Sequence, residues 1–528
     1  VTPLMVGGVL YVTAGTRRDV VAIDAATGET LWMFRLDEGV RGEAVARQQN
    51  RGLAYWSDHK GDDRILLISP GFQLVALSAK DGRRLESFGR AGVVDLWEGL
   101  DRDPVEPGSV GSSSPALVIN DVIVVGAAGQ NGTAPKSKSN TPGYIRGYDV
   151  RTGRKLWTFR TIPQPGEFGH ETWENDSWKY TGNTGAWAPM SADPELGYVY
   201  VPIEAPTGDF YGGNRHGNNL FSDSLLCLDA KTGRRVWHYQ FIHHDIWDWD
   251  IASPPILADV TVAGRRVKAV AQVTKQSWVY FFDRVTGQPI WPIEERPVPQ
   301  SDVPGEKTAK TQPFPTKPAP YARTHISKND LIDFTPELKA EAREIVKQWT
   351  VGPMFTPPTL EGTAAGEKKG TMYLPGWVGG ANWGGAAFDP ESSTLYVPSV
   401  TFPWLGALVK GPGRFTYANT RKRLDREPGP GPRGLPITKP PYGRVTAIDM
   451  NSGDHRWMVA NGDGPRDHPA LKALNLPPLG QMGRAAPLVT KTLLFVTEGS
   501  PAGLSIPPGG GGPRMRAFDK RTGAVVAV

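Results

Sequence analysis

The apolar and polar positions of this chain repeat one short pattern. An apolar run reaches an aspartate, two residues follow, Thr-Gly or Ser-Gly comes next, and an apolar return run ends in tryptophan. Five copies end at Trp32, Trp157, Trp237, Trp291 and Trp457. Degenerate copies surround Gly82 and Gly523. Because Asp and Gly favour tight turns and glycine adopts positive φ angles, each copy predicts a β-hairpin.

Repeats at this spacing are typical of propellers or solenoids. The interval between Gly287 and Gly453 is the longest, and it has room for one further blade without a clear copy. Seven copies and this silent blade predict an all-β fold, an eight-bladed β-propeller. The last copy stops at Val528, so we expect the final blade to be incomplete.

Inserted segments interrupt the repeat within a single predicted domain of residues 1–528. We expect an insert at about 294–350, of which 294–330 is rich in Pro and Lys and predicts a surface loop. Residues 335–349 predict a helix with Thr335 as its cap and Pro336 at its first position. Its apolar face is Leu338, Ala342 and Ile345. A Pro/Gly tract at 426–441 predicts a second long loop.

Charge, apolar run length and cysteine content argue against several classes of protein. The net charge is +5 and no block of Lys and Arg marks a nucleic-acid surface. No apolar run is long enough for a transmembrane helix. Cys227 is the only cysteine, which excludes an intramolecular disulfide and a cysteine metal cluster. The chain begins in a strand-like run without a signal peptide, and we interpret it as trimmed.

The densest polar cluster is HHDIWDWD, residues 243–250. On an extended strand alternate residues share a face, so Asp248 and Asp250 are expected to point the same way. Such carboxylates could bind a hard cation, or one could act as a base beside it. The alternative is a turn whose acids cap backbone N–H groups. His243 and His244 are expected to be structural hydrogen-bond formers rather than metal ligands.

Together these residues resemble a known family. The Asp-x-x-Thr-Gly-x-x-x-Trp copies are similar to the tryptophan-docking motifs of dehydrogenases that use pyrroloquinoline quinone (PQQ). HHDIWDWD resembles the catalytic segment of their glucose/quinate/polyol branch. NRGLAYW (50–56) resembles a cofactor-contacting segment, and GAWAP (185–189) and YGGNR (211–215) also match in order. The resemblance covers essentially the whole chain.

The resemblance implies individual roles. Asp248 is implied as the catalytic base and a metal ligand, and Lys275 as a catalytic group beside the quinone oxygens. Trp187 is implied to lie flat against the PQQ ring, and Arg51 to contact its polar edge. The other implied metal ligands are Asn214, Asp250 and Asn131. The other implied cofactor contacts are Ser112, Asn382 and Trp383.

The chain also departs from the family pattern. Val45 and Ala46 stand where the alcohol-oxidising branch has two adjacent cysteines, and Arg47 stands where the glucose branch has a histidine. Gln130 and Asn131 occupy a segment that usually supplies an acid to the metal. This ligand is therefore neutral, which weakens the predicted metal affinity.

The resemblance implies an enzyme that oxidises a hydroxyl group of a sugar, polyol or alcohol with PQQ and a divalent metal. Calcium is the expected ion, although the second acid, Asp250, also fits a lanthanide site. No haem motif occurs, so electrons are expected to pass to ubiquinone or cytochrome c. The family implies a bacterial periplasmic location, with any membrane anchor outside this chain. The alternative is a non-catalytic propeller that scaffolds outer-membrane assembly, which would not need Asp248 and Lys275.

Overall fold

The computed structural model describes residues 2–44, 51–104, 106–129, 135–362, 368–411, 416–420, 431–500 and 510–528. The chain divides into two compact units. The first unit is Val1–Thr207 with Asn219–Gln240, and the second is Gly208–Asn218 with Phe241–Val528.

The first unit contains four antiparallel four-stranded sheets. The first two sheets contain β1 (Leu4–Val6), β2 (Val9–Ala14), β3 (Asp19–Asp24) and β4 (Thr30–Phe34), then β5 (Ala54–Ser57), β6 (Asp63–Ile68), β7 (Gln73–Ser78) and β8 (Val93–Asp95). Next come β9 (Val110–Gly111), β10 (Leu117–Ile119), β11 (Val122–Val125), β12 (Ala128–Gly129), β13 (Ile145–Asp149) and β14 (Lys155–Phe159), of which β9 and β12 form a separate pair. The fourth sheet contains β15 (Ser191–Asp193), β16 (Tyr198–Pro202), β17 (Ser224–Asp229) and β18 (Arg235–Gln240). Short helical segments are α1 (Val40–Glu43) and the 3-10 turns His170–Thr172 and Ser177–Lys179.

The second unit contains three further sheets that carry the repeat. They are β19 (Ile256–Val262), β20 (Arg265–Val273) and β21 (Val279–Asp283), then β25 (Ala387–Asp389), β26 (Thr394–Val400), β29 (Gly443–Asp449) and β30 (His455–Ala460), then β31 (Pro487–Val489), β32 (Leu493–Thr497), β33 (Met515–Asp519) and β34 (Val525–Ala527). Additional elements are the ribbon β22 (Ile293–Pro297) and β23 (Thr311–Pro315), and the sheet of β24 (Thr371–Tyr373), β27 (Trp404–Lys410) and β28 (Tyr417–Thr420). The helical elements are α2 (Pro336–Lys347) and the 3-10 turns Pro432–Gly434 and Lys472–Leu474.

Each copy of the sequence repeat lies in its own sheet, at the turn that follows the third strand of that sheet. In the first copy the Asp24 carboxylate accepts the backbone N–H groups of Ala26 and Thr27 at 2.9 and 2.8 Å. Gly28 follows with a φ of 77°. The predicted hairpins are therefore confirmed, and the aspartate fixes the turn through its own side chain.

Within each unit, motif tryptophans pack on the motif glycine of the following sheet. Trp157 Nε1 donates to the carbonyl oxygen of Ala230 at 2.9 Å. A Cβ atom at Gly233 would lie 2.4 Å from the Trp157 ring, and the φ of Gly233 is 70°. Glycine is thus required twice, for its positive φ and for the close approach of the ring. The same contact joins Trp32 to Gly82 and Trp457 to Gly523.

The cores lie between consecutive sheets. In the first unit, one cluster joins Tyr11 and Val20 to Ile65 and Leu77 of the following sheet. In the second unit, Tyr396 and Val445 pack with Leu494 and Phe518. Burial of these apolar faces is the main force that holds neighbouring sheets together.

The insert is more ordered than the sequence predicts. The prediction of an irregular loop at 294–330 is wrong in part, because β22 and β23 pair within it. The helix prediction is confirmed: Thr335 caps α2 by accepting the backbone N–H of Leu338 at 3.3 Å. Leu338 and Ala342 are buried, in a cluster with Leu331 and Trp349. Residues 426–430 of the second predicted loop lie outside the described residues.

The described sheets differ from the predicted blades in two places. Within the described part of residues 288–442, β25 and β26 pair with β29 and β30, so they belong to the sheet of the Gly453 copy rather than to a silent blade. The final blade was expected to be incomplete, but β31 to β34 form a full four-stranded sheet. The reason is that the last copy joins β33 to β34, the third and fourth strands of this sheet. Among the described helices, none has the length and apolarity needed to cross a membrane.

Candidate active site

The segment 243–250 is a turn. The expected extended strand is wrong, since residues 241–255 form no strand. The Asp245 carboxylate accepts the backbone N–H groups of Trp247 and Trp249, each at 3.0 Å, and Asp248 has a φ of 57°. The alternative interpretation, a turn whose acid caps backbone N–H groups, is therefore correct for Asp245. Asp248 and Asp250 do not make these capping bonds.

Asp248, Asp250 and Lys275 form a buried group that we call the carboxylate–lysine cluster. Lys275 Nζ donates to Asp248 Oδ1 at 3.2 Å, to Asp250 Oδ2 at 3.1 Å and to the backbone carbonyl of Asp248 at 2.6 Å. The Lys275 side chain is 3% exposed and that of Asp248 is 16% exposed. The two acids converge on one ammonium group although they do not share a strand face.

Burial and charge perturb the titration of this cluster. Burial raises the pKa of Asp248 well above its usual value, the Lys275 ammonium partly offsets this, and Asp250 raises it further. Burial alone would lower the pKa of Lys275, but the two carboxylates outweigh burial and raise it. Lys275 is therefore a fixed cation, and the negative charge around Asp248 is incompletely balanced.

Further charged residues surround the cluster, and sequence reasoning missed them. Asp209, which is buried, acts electrostatically on Asp248 and raises its pKa. Burial raises the pKa of Asp245 to about 7, and its N–H bonds from the turn oppose this. Arg484 also lies within electrostatic range of Asp248, and its guanidinium faces the Trp377 ring at 5.5 Å. Asp209 and Arg484 belong to no repeat and no dense polar run, so the sequence offered no signal for them.

An aromatic wall supports the turn. Trp247 and Trp249 stack with their ring centroids 5.4 Å apart, and Phe355 meets both rings edge-on at 5.3 Å. Their indole groups donate to the carbonyls of Thr356 and Pro375 at 2.9 and 3.2 Å. The two tryptophans of HHDIWDWD are therefore core residues that hold Asp248 and Asp250 in place.

Asn214 lies on a segment that a buried ion pair holds. His244 Nδ1 donates to the carbonyl of Gly217 at 2.8 Å, and Nε2 pairs with Glu306 at 2.7 Å. The other oxygen of Glu306 accepts the N–H of Gly212 at 2.6 Å. Both side chains of the pair are 1% exposed. The pair thus joins residues 212–217, which carry Asn214, to the segment of Asp248.

Asn382 and Trp383 lie beside the Lys275 turn. Gly380 donates its N–H to the Lys275 carbonyl at 2.8 Å. The Asn382 side chain serves its own loop, because it donates to the Val378 carbonyl at 2.7 Å and accepts the Trp383 N–H at 2.9 Å. These contacts give Asn382 a role in shaping the loop.

In the first unit, Arg51, Ser112–Ser114 and Trp187 form a second group, the tryptophan–serine cluster. Arg51 Cζ lies 5.1 Å from the Trp187 ring centroid, and Arg51 Nη1 donates to the carbonyls of Ser113 and Trp187 at 3.2 and 3.4 Å. The hydroxyls of Ser113 and Ser114 donate to the same Trp187 carbonyl at 3.1 and 2.5 Å. Ser112 donates to the Ser114 carbonyl at 2.9 Å. The structure therefore brings three of the predicted cofactor contacts together.

Comparison with known proteins connects this geometry to a family. The whole chain, residues 1–528, matches the family described as "PQQ: Glucose/ethanol/alcohol dehydrogenase, beta-propeller domain". The chain belongs to this family of PQQ-dehydrogenase propellers. The predicted resemblance is thereby confirmed.

Two curated relatives are each 30% identical in sequence to this PQQ-family chain. It is 30% identical to the quinoprotein glucose dehydrogenase of Escherichia coli (strain K12) over 88% of this chain and 60% of the relative. It is also 30% identical to the glycerol dehydrogenase large subunit of Gluconobacter oxydans (strain 621H), over 99% and 72% of the two chains. The quinohemoprotein alcohol dehydrogenase of Comamonas testosteroni has a similar fold, with a TM-score of 0.65 at 21% identity, covering 100% of this chain and 66% of that one. The chain thus spans less than two thirds of the length of the E. coli relative.

Asp248, Asp250 and Asn214 of this PQQ-family chain have side-chain oxygen atoms, which are suitable ligands for a hard cation. Carboxylate and amide oxygens are the ligands that Ca²⁺ prefers. The raised pKa of Asp248 means that negative charge there is under-compensated, which a divalent cation would relieve. In the described ranges, three His, Cys, Asp or Glu side chains do not converge as a metal-binding group, and the Asn214 side-chain oxygen accepts a hydrogen bond from the Thr416 hydroxyl at 3.4 Å. Asn131, together with Val45, Ala46, Arg47 and Gln130, lies outside the described residues.

The tryptophan–serine cluster fits a planar anionic cofactor. Trp187 supplies a flat ring, and Arg51 supplies a cation beside it. PQQ is a planar quinone with three carboxylates, so it requires an aromatic face and a positive charge.

Proposed function

We propose that this protein oxidises a hydroxyl group of a sugar, polyol or alcohol, with PQQ as the cofactor and Ca²⁺ as the metal. The observation that carries the proposal is the buried Lys275 ammonium that binds both Asp248 and Asp250. In a chain of the PQQ-dehydrogenase family, such a cluster combines a base, a cation and two hard oxygen ligands.

In the proposed mechanism Asp248 accepts the proton of the substrate hydroxyl. The turn and Lys275 hold the carboxylate in a largely buried position, and positioned bases of this kind contribute about 10²–10⁴-fold to the rate. Lys275 holds the carboxylate in place and stabilises negative charge that develops nearby. The surrounding tryptophan pair excludes water from the other side of the turn.

The remaining residues are proposed to bind the two groups. Asp248, Asp250 and Asn214 would hold the metal ion, with Asn131 as a further candidate. Arg51, Ser112, Trp187, Lys275, Asn382 and Trp383 would contact the cofactor. When bound, PQQ supplies the two-electron acceptor and the metal supplies Lewis acidity.

The wider biological setting is also a proposal. The relatives named for glucose, glycerol and quinate or shikimate support a polyhydroxylated substrate. Electrons would pass to ubiquinone or cytochrome c, and the protein would work in the bacterial periplasm. We propose that residues 1–528 act as one catalytic domain and that the propeller has eight blades.

The experiment is reconstitution with PQQ and metal, followed by dye-linked dehydrogenase assays on glucose, glycerol, quinate and short alcohols. We expect activity that requires both PQQ and Ca²⁺, and a parallel series with a lanthanide tests the metal. Failure to bind PQQ at saturation, with no activity on any substrate, would favour the non-catalytic scaffold instead.

A further inference from the structure

Arg444, on strand β29, is a buried cation without a carboxylate partner. It is 5% exposed, and its Nη2 donates to the Thr401 hydroxyl and the Pro441 carbonyl, which are both neutral. No acid of the described chain lies within ion-pair distance of its guanidinium. Burial and, to a lesser extent, neighbouring Arg323 lower the pKa of Arg444 to about 10, so Arg444 stays charged at neutral pH.

Arg516 is a buried arginine of the same unit that has a carboxylate partner. It is also almost fully buried, and it pairs with Glu498 at 2.6 Å, with both side chains 6% exposed. A buried charge is costly unless an opposite charge compensates it. Arg444 therefore lacks the compensation that Arg516 has.

A second guanidinium approaches the same place. Arg323 Nη2 donates to the Pro440 carbonyl at 3.5 Å, next to the Pro441 carbonyl that Arg444 binds. Its Nη1 pairs with Asp330 at 2.5 Å. Hydrogen bonds from Lys439 to the Asp330 carbonyl at 2.8 Å and from Ile332 to Ile437 at 2.9 Å hold the two segments together. Asp330 thus compensates the charge of Arg323.

Several buried polar atoms of these arginines and of the adjoining segment 438–442 lack a partner. They are the Nε atoms of Arg323 and Arg444 and the hydroxyls of Thr438 and Tyr442, none of which bonds to any residue in the described ranges. Thr438 and Tyr442 are 0% exposed. The Nε groups can only donate, and the hydroxyls can also donate. Whatever occupies this place must therefore accept hydrogen bonds.

We propose that Arg323, Thr438, Tyr442 and Arg444 bind one small monovalent anion of the size of chloride. Water could accept the same hydrogen bonds, but it would leave the Arg444 charge uncompensated. An anion satisfies both requirements. Arg323 is 25% exposed on its side chain, which gives the ion a route from solvent. This site is separate from the proposed catalytic residues and does not depend on the proposed function.

The test is thermal unfolding of the full chain in chloride and in gluconate at equal ionic strength. Binding to the folded state raises Tm as the anion concentration passes its Kd. We expect a saturable rise with chloride only. In Thr438→Val, which removes one donor at nearly constant shape, we expect the chloride Kd to weaken roughly tenfold. Arg444→Met should abolish the chloride response.

The matched control is Thr371→Val. Thr371 is also fully buried, but its hydroxyl already donates to the Pro357 carbonyl at 3.1 Å. This variant should lose stability and keep the wild-type chloride response. A wild-type Tm that does not depend on chloride, or a bromide-soaked crystal with water and no anomalous peak between Arg323 and Arg444, would overturn the proposal.

Discussion

The carboxylate–lysine cluster and the tryptophan–serine cluster hold their cations in different ways. Lys275 is 3% exposed and binds two carboxylates. Arg51 is only partly buried, donates to backbone carbonyls and faces an aromatic ring. Removing Lys275 would leave two buried carboxylates without their shared cation, whereas removing Arg51 takes a donor from two backbone carbonyls and a cation from the Trp187 ring. The first group is therefore tied more closely to folding, while the second places a cation beside a flat aromatic ring.

Replacement of the buried cation should have the largest effect on stability. Lys275→Met leaves Asp248 and Asp250 without their shared partner, which should lower the free energy of unfolding by about 3–5 kcal/mol. Urea denaturation measures this loss. The control is Lys328→Met, at an exposed position of the same unit, with a change within about 0.5 kcal/mol. Equal stability of the two variants would remove the contrast between the clusters.

The buried His244–Glu306 pair should give an acid-dependent effect. Burial alone would raise the pKa of Glu306. His244 and the Gly212 N–H outweigh burial and lower this pKa from its ordinary value of 4.5 to about 2. A lowered folded-state pKa stabilises the fold above pH 4.5, and this contribution is lost as pH falls toward 2. The free energy of unfolding of the wild-type protein should fall by about 3 kcal/mol as the pH falls from 4.5 toward 2. In Glu306→Gln this part of the pH dependence should be missing from denaturation curves at pH 2.5–6; an unchanged profile would show that the pair does not couple to folding.

Replacement of Arg51, the partly buried cation of the tryptophan–serine cluster, should have the smallest effect on stability. Arg51→Gln removes a cation–π contact worth about 0.5–1 kcal/mol, so Tm should change little. The affinity for PQQ, measured by fluorescence titration, should fall roughly tenfold or more, because a charge-assisted contact is lost. Arg17→Gln, at an exposed position of the same unit, should bind PQQ as the wild type does. A large loss of stability with unchanged PQQ affinity would reverse the assignment.

Local rules predicted much of the fold. The Asp-x-x-Thr-Gly repeat predicted seven hairpins, because the turn is closed by its own side chains, as Asp24 and Gly28 show. The cap at Thr335 and the apolar face of α2 were also predicted correctly. Both features depend on residues a few positions apart, which a sequence displays directly.

Features that depend on distant residues were harder to predict. The strand expected at 243–250 failed because Asp245 bonds the backbone of Trp247 and Trp249 and winds the segment into a turn. The partner of His244, Glu306, comes from the insert, and no local motif indicates that pairing. Family resemblance did link Arg51 to Trp187, which lie far apart in the sequence and in contact in the structure.

The central claim is that Asp248 is the base of a PQQ-dependent dehydrogenase. The most direct measurement compares the dye-linked kcat of Asp248→Asn and Asp259→Asn, both reconstituted with PQQ and Ca²⁺. Asp259 is half exposed on β19 of the same unit and pairs with Arg284. We predict that kcat falls about 10²–10⁴-fold in Asp248→Asn and stays near wild type in Asp259→Asn, with both variants folded. A folded Asp248→Asn variant with wild-type kcat would contradict the account.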